Sequence, residues 1–255
     1  MTTIAIVPAR MSSSRLPNKP MMKICGIPMI GHCYYRTKMA FGNKNTFIAT
    51  CDEEIFEYIL SIGGQAIMTS NKHERATTRT AEASEIIENK NNLEIDYIVM
   101  VQGDEPLIEP KVLCQTGKEI ENGNYNIVNV MCELKTLKMF KDRNNVKVVV
   151  DNDNNAIYFS REPIPSPWKE SKSIKKYMQT GIIAFRKEKL YEFNNMSETF
   201  LEKVESVDMN RVIENGGKIK MVLSPNLSVG VDTLPELKSV EILMKKDKNF
   251  KIYKK

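Results

Sequence analysis

Ile4-Ala5-Ile6-Val7-Pro8 is a continuous apolar run of strand length, and a polar, basic loop follows it as far as Lys19. Continuous apolar runs are typical of strands that are buried on both faces of a parallel sheet. We therefore predict that this run is the first strand of an α/β sheet and that the basic loop leaves its carboxyl end.

Predicted strands and helices alternate through the first half of the chain. Such alternation implies right-handed crossovers and a mostly parallel, twisted sheet with helices on both faces. From residue 146 the pattern becomes richer in strands, so we expect one domain over residues 1–255 with a smaller strand-rich insertion at about 145–195. Strands are predicted at 46–51, 65–69, 95–101, 125–132, 146–150, 156–160, 181–185 and 219–224, and helices at 28–40, 52–62, 77–89, 111–121, 206–215 and 234–245.

Composition argues against several classes of protein. The hydrophobic fraction of 42% and the charged fraction of 27% are ordinary for a globular chain. No apolar run is long enough to span a bilayer and no export signal is visible, so we expect a cytoplasmic protein with no membrane partner. The five cysteines are scattered without a CxxC pair, which favours reduced thiols and argues against a zinc site.

The net charge of +5 comes with no stripe of basic and aromatic residues on one element. Such a stripe is typical of nucleic-acid binding, so we predict no nucleic-acid partner. A mildly basic surface still attracts a triphosphate and a small acidic acceptor. Of the two histidines, His32 lies within a predicted helix beside Cys33, and we expect it to be a packed core residue.

The loop after the first strand has the composition of a phosphate-binding site. Residues 8–20 (PARMSSSRLPNKP) carry Arg10, Arg15 and Lys19 with three serines between them. Cations and hydroxyl donors are what a triphosphate needs, and ligands bind at the carboxyl ends of strands in open parallel sheets. The loop has no glycine, so it is neither a P-loop nor the dinucleotide-binding fingerprint. The alternative is a solvated basic loop.

Two aspartates are candidates for a metal site. Asp104 follows a predicted strand in residues 102–106 (QGDEP), and Asp232 precedes the last predicted helix in residues 230–233 (GVDT). Mg²⁺ bound with a nucleotide takes one or two protein carboxylates together with phosphate oxygens and waters. Isolated aspartates also serve as turn residues and as helix N-terminal residues, and these alternatives stay open for both.

The motifs taken together resemble the 3-deoxy-manno-octulosonate cytidylyltransferase family. The matching segments are 6–10 (IVPAR), 14–20 (SRLPNKP), 101–106 (VQGDEP), 158–161 (YFSR) with Ile164-Pro165, and 230–233 (GVDT). They cover nearly the whole chain in one order. The resemblance implies a Rossmann-like nucleotide-diphospho-sugar transferase fold, CTP as donor, Mg²⁺ as cofactor, a homodimer that forms through the insertion, and CMP transfer to a small acidic sugar in lipopolysaccharide or capsule biosynthesis.

The resemblance also assigns roles to residues of this sequence. Lys19, Asp104 and Asp232 are implied to be catalytic, and the two aspartates are implied to bind the metal. The implied nucleotide-binding residues are Pro8, Ala9, Arg10, Ser13, Arg15, Lys19, His73, Thr77 and Arg79. The implied acceptor-binding residues are Gln102, Arg161, Gln179, Glu205 and Asp208.

Three segments depart from the family pattern. Residues 73–79 (HERATTR) have Arg75 and Ala76 where the family has serine and glycine. Residues 179–181 (QTG), with Phe185, stand where the family has His-x-Gly and a tyrosine, and residues 205–208 (ESVD) stand where it prefers two glutamates. An extra cation at Arg75 and the loss of a histidine at Gln179 suit an acceptor with different acidic groups, and the alternative is family drift without a change of function. The acceptor therefore stays open between an octulosonate, a modified octulosonate, another sugar acid and a phosphate or phosphonate compound.

The departures leave two further possibilities, an enzyme with another nucleotide or a non-sugar acceptor, and a catalytically inactive nucleotide-binding relative. The three cations and two aspartates of the donor motifs are all present, which argues against the inactive relative.

Overall fold

A computed structural model describes residues 1–12, 16–169, 174–226 and 230–254. The strands are β1 (Thr3–Ala9), β2 (Lys23–Ile24), β3 (Ile27–Pro28), β4 (Thr46–Thr50), β5 (Gln65–Met68), β6 (Tyr97–Met100), β7 (Ile127–Glu133), β8 (Lys147–Val150), β9 (Ala156–Ser160), β10 (Tyr177–Arg186) and β11 (Lys220–Ser224). The α-helices are α1 (Met29–Phe41), α2 (Glu53–Ser61), α3 (Ala76–Asn91), α4 (Pro110–Asn122), α5 (Leu137–Lys141), α6 (Lys187–Asn195), α7 (Phe200–Glu205), α8 (Met209–Glu214), α9 (Leu234–Lys246) and α10 (Phe250–Tyr253). Short 3-10 turns lie at Lys19–Met21 and Asn43–Asn45.

The main sheet has the strand order β11-β7-β10-β6-β1-β4-β5, and the β8–β9 hairpin extends from β10. Strands β5, β4, β1 and β6 are parallel, and β11 is parallel to β7. Strand β10 is antiparallel to both of its neighbours, β6 and β7. The carboxyl ends of β1, β5, β6 and β11 therefore meet the amino end of β10 at one edge of the sheet.

Helices cover both faces of the sheet, as the burial of every residue of β1 requires. Ile4 and Ile6 pack on one face with residues of α3, α6 and α8. Ala5 and Val7 pack on the other face with residues of α1, α2 and α4. Both predicted helical layers are confirmed.

The C-terminal helices form a smaller third cluster. Met244 of α9 and Phe250 of α10 pack against Ile24 of the β2–β3 hairpin and Met29 of α1. His32 is fully buried beside this cluster, where its ring nitrogens lie 2.8 Å from the Ile24 carbonyl oxygen and 2.9 Å from the Tyr253 hydroxyl. Burial lowers the pKa of His32 to about 4. The prediction of a packed core histidine is confirmed.

Two predictions of local structure were wrong. The helix expected at 206–215 is α8, which begins only at Met209, because Ser206 takes a left-handed conformation (φ 52°) that ends the preceding helix α7. Four helices, α5, α6, α7 and α10, were also missed in the prediction from sequence. No helix in the described ranges is long and apolar enough to cross a bilayer.

Candidate active site

A cleft of about 740 Å³ opens at the edge of the sheet where the parallel strands end. Ligands bind at this edge in open α/β sheets. The walls come from the loops after β1, β5 and β6, from the start of β10, and from the segment between α7 and α8. The sequence-predicted residues that line the cleft are Pro8, Ala9, Arg10, Lys19, His73, Thr77, Arg79, Gln102, Asp104, Arg161, Gln179, Asp208 and Asp232.

Lys19 joins the two candidate metal-binding aspartates. Its Nζ donates to Asp104 Oδ2 at 2.7 Å and to Asp232 Oδ1 at 3.0 Å. Because both carboxylate oxygens bond the same Nζ, the two aspartates lie close together in the cleft. The sequence alone did not show that these aspartates converge, since they lie on different loops; the structure brings them together.

Backbone contacts hold these loops in place. The Val231 N–H donates to the Asp104 carbonyl oxygen at 2.9 Å, which ties the loop after β11 to the loop after β6. Gly103 lies so close to β1 that an added Cβ would stand 3.0 Å from the Pro8 carbonyl oxygen. At the start of α9, Thr233 and Glu236 form a capping box, and Glu236 also accepts from the Asp232 N–H.

The electrostatics at Lys19 favour its charged form. The side chain is only 13% exposed. Burial lowers its pKa, but the Asp104 and Asp232 carboxylates outweigh this effect and raise the pKa above the ordinary lysine value. Lys19 is therefore an ammonium at neutral pH, held at the mouth of the cleft by two carboxylates.

The predicted nucleotide-binding residues form the wall beside β1 and α3. Arg10 Nη1 donates to the His73 carbonyl oxygen at 3.3 Å. Arg79 is almost fully buried and donates to Thr69 and to the carbonyl oxygens of Ser70 and His73, so its guanidinium supports this loop. Ser13 and Arg15 lie outside the described residues.

Thr77 stands out in this wall because its hydroxyl oxygen is buried and has no hydrogen-bond partner among the described residues. It is the second residue of α3, whose N-terminus opens on the cleft. Helix N-termini favour anionic groups. The Thr77 hydroxyl is therefore available to bond a polar group of a ligand.

Gln102 lies against β10 at the acceptor side. A Cβ added to Gly181 would stand 1.8 Å from Gln102 Cγ, so only glycine leaves room for this side chain. The Gly181 N–H donates to Glu105 Oε1 at 2.9 Å. Glu105 was quoted in a motif but received no predicted role, and its contact with Gly181 fixes the bulged part of β10. Gln179, in the same strand, has a buried side-chain oxygen with no partner among the described residues.

Glu205 does not line the cleft, although acceptor binding was implied for it. Its carboxylate accepts hydrogen bonds from the Tyr158 hydroxyl (2.9 Å), the Ser160 hydroxyl (2.7 Å) and the Arg161 N–H (2.8 Å). Burial raises the pKa of Glu205, but these three donors outweigh it and lower the pKa below its usual value. In this arrangement Glu205 supports Arg161 instead of facing the cleft.

Arg161 lines the cleft, and its hydrogen bonds to backbone carbonyl oxygens also hold the wall of the cleft together. Its Nε donates to the Glu205 carbonyl oxygen at 2.7 Å, Nη1 to that of Arg143 at 3.0 Å, and Nη2 to that of Ser206 at 3.3 Å. A guanidinium has five N–H groups. One N–H on each Nη therefore has no partner in the described part of the chain, which is the number that a bidentate carboxylate contact uses.

Lys147 supports the same wall from inside the protein, and this role was not predicted from the sequence. It is fully buried, and its Nζ donates to the carbonyl oxygens of Asp142, Asn145 and Arg161. Burial lowers its pKa from the ordinary value. Lys147 received no predicted role, because no local pattern marks a lysine whose partners are carbonyl oxygens of three different residues.

Arg75 is engaged by carboxylates. Its guanidinium bonds to Asp208 and lies 2.5 Å from Glu198 Oε1 and 3.5 Å from Glu202 Oε1. Glu202 is fully buried and receives two hydrogen bonds from Arg211. Arg75 is therefore paired with carboxylates of this chain, and it is not the extra cation for an acidic acceptor that the sequence suggested.

Comparison with known proteins identifies the family. A family model described as cytidylyltransferase matches residues 4–219. The 3-deoxy-manno-octulosonate cytidylyltransferases of Fusobacterium nucleatum (40% identical, 99% of this chain and 100% of the relative) and Geotalea uraniireducens (38% identical, 96% and 100%) are similar over their whole lengths. A solved CMP:2-keto-3-deoxy-manno-octonic acid synthetase complexed with CTP superposes with a TM-score of 0.86 at 31% identity, over 96% of this chain and 99% of that one. This chain belongs to the 3-deoxy-manno-octulosonate cytidylyltransferase family.

Proposed function

We propose that this protein transfers CMP from CTP to a 3-deoxy-manno-octulosonate-like acidic sugar and releases pyrophosphate. The observation that carries the proposal is the convergence of Lys19, Asp104 and Asp232 at the edge of the sheet, in a chain of this family. A nucleotidyl transfer needs an aligned acceptor oxygen and stabilised charge at phosphorus more than covalent help from the protein.

The reaction is a substitution at the α-phosphorus of CTP. An acceptor hydroxyl oxygen forms the new bond to phosphorus and loses its proton to water, while the bond to the leaving oxygen breaks and pyrophosphate keeps the electron pair. Lys19 supplies an ammonium beside the triphosphate, where it stabilises the growing negative charge. Arg161, with its two remaining N–H groups, suits the carboxylate of the acceptor.

The carboxylates of Asp104 and Asp232 fit a magnesium ion. They are hard oxygen ligands that converge on one point, and two such ligands are what nucleotide-bound Mg²⁺ takes from a protein. The metal supplies charge neutralisation at the phosphates. We infer that these two residues hold it and that Lys19 turns from them toward the phosphates when the nucleotide binds.

The strand-rich region at about 145–195 supports a homodimer. Strand β9 pairs with β8, and its outward residue Ile157 is 53% exposed, while Trp168 in the following loop is 89% exposed. Large exposed apolar side chains mark interaction surfaces. We also infer a cytoplasmic enzyme, since no two of the five cysteines, all within the described ranges, form a disulfide.

The test is pyrophosphate release by the purified protein with each of the four nucleoside triphosphates and a panel of acceptors. We expect release with CTP and 3-deoxy-manno-octulosonate, a product with the mass of the CMP-sugar, and loss of activity in EDTA that Mg²⁺ restores. Release with another triphosphate, or with phosphonate acceptors and no sugar acid, would contradict the proposal. Light scattering of the same sample measures whether it is a dimer.

A further inference from the structure

Arg75 and Asp208 connect the two walls of the cleft. Arg75 immediately precedes α3 on the nucleotide side, and Asp208 immediately precedes α8 on the acceptor side, 133 residues later. Both line the cleft, and their side chains are 31% and 27% exposed. The ion pair therefore sits at the surface of the site that a ligand meets.

The charged side chains around this ion pair carry more negative than positive charge. Within the described residues, the two guanidinium groups of Arg75 and Arg211 face the three carboxylates of Glu198, Glu202 and Asp208. Arg211 is committed to Glu202, because it bonds both of its oxygens in a buried, bidentate contact. Arg75 thus bonds both Asp208 and Glu198, and these two carboxylates already neutralise the charge that an anionic ligand would need.

Beside the Arg161 donors, two hydrogen-bond acceptors at this end of the cleft have no partner among the described residues. Arg75 bonds to Asp208 Oδ1, and Oδ2 of the same carboxylate receives no hydrogen bond from any described residue. The buried side-chain oxygen of Gln179 likewise has no partner there. Two such oxygens are complementary to hydroxyl groups, which donate, and are repelled by phosphate or carboxylate oxygens, which do not.

We propose that Arg75 is a positioning residue that holds the Asp208 carboxyl group ready for an uncharged hydroxyl of the acceptor, so that this end of the cleft selects against a second anionic group. The inference rests on the proposed function and narrows its substrate class. It favours a polyhydroxy sugar acid with a single acidic group over a phosphate- or phosphonate-bearing acceptor. Without Arg75, Asp208 would face Glu198 and the buried Glu202 with no cation beside it.

The test compares acceptor and CTP kinetics in three variants. Arg75→Met should raise the acceptor KM about tenfold and leave the CTP KM within about twofold, since a lost charged hydrogen-bond partner typically costs that much. Arg75→Lys should recover part of the acceptor affinity, because lysine restores a point charge without the fork. Lys72→Met is the matched control: it removes a positive charge from the same loop at an exposed position, and its kinetics should equal those of the wild type.

A second arm measures selection against charge. The wild type should bind an acceptor analogue with a phosphate on its distal hydroxyl at least tenfold more weakly than the parent, and Asp208→Asn should narrow that gap. The double variant Arg75→Met/Asp208→Asn should raise the parent's KM no more than either single change, because the two residues act as one unit. The comparison of the parent with its phosphorylated analogue uses only the wild type and Asp208→Asn, so it does not depend on Arg75→Met being well folded.

Three results would overturn the inference. They are an unchanged acceptor KM in Arg75→Met, an equal rise in both KM values, or tighter binding of the phosphorylated analogue by the wild type. Absence of wild-type turnover with every sugar acid would instead refute the proposed function, and the inference would fall with it.

Discussion

Replacing Lys147 with methionine tests whether one buried ammonium group holds the acceptor wall of the cleft. Lys147 is fully buried in β8, and Nζ donates to the carbonyl oxygens of Asp142 at 2.9 Å, Asn145 at 2.6 Å and Arg161. Methionine fills nearly the same space but has no donor. The three carbonyl oxygens then lose their charged partner without a large cavity being created.

The expected loss of stability follows from two opposing contributions. A hydrogen bond from a charged donor contributes about 1.5–3 kcal/mol net, and three are lost. The substitution also removes the cost of burying an ammonium, which is several kcal/mol. We therefore expect the free energy of unfolding to fall by about 3 kcal/mol, and Tm by about 6–12 °C for a chain of this size.

The assay joins calorimetry to steady-state kinetics. Because Asn145 and Arg161 line the acceptor side, the acceptor KM should rise more than the CTP KM. Lys141→Met is the matched control, since Lys141 is exposed on α5 and its loss should shift Tm by no more than about 2 °C. A Tm for Lys147→Met equal to that of the control would refute the structural role. A lowered Tm with an unchanged acceptor KM would show that Lys147 supports the fold but not the cleft.

Three further substitutions test the catalytic edge. Asp104→Asn should abolish turnover even in saturating Mg²⁺, and near-normal activity would remove Asp104 from the metal site. Lys19→Ala should raise the CTP KM more than the acceptor KM; an unchanged CTP KM would contradict the triphosphate role. Gly181→Ala should cut kcat/KM for the acceptor at least tenfold, because the new Cβ would stand 1.8 Å from Gln102 Cγ and displace that side chain. Wild-type kinetics in this variant would show that the position of Gln102 does not matter for the acceptor.

The order of most strands and helices was predictable because it follows from the hydrophobic pattern of neighbouring residues. Apolar runs such as 4–8 predict buried strands from neighbouring residues alone, and the structure confirms them. The direction of strand β10 could not be predicted in this way. No local pattern indicates that a strand lies between β6 and β7 and runs antiparallel to both. Helix α8 was predicted to begin at residue 206 and begins at Met209, because the left-handed Ser206 ends α7 and interrupts the helical conformation.

By itself the sequence determined the fold class, the family and the residue types of the donor site. Only the tertiary structure decided which of those residues meet. Asp104 and Asp232 share Lys19 although the chain separates the lysine from them by 85 and 213 residues. Arg75 reads in the sequence as a spare cation, whereas the folded chain surrounds it with carboxylates from more than 120 residues away. The physical reason is that secondary structure depends on neighbouring residues, while charge pairing depends on distances in space that only the packed sheet and helices set.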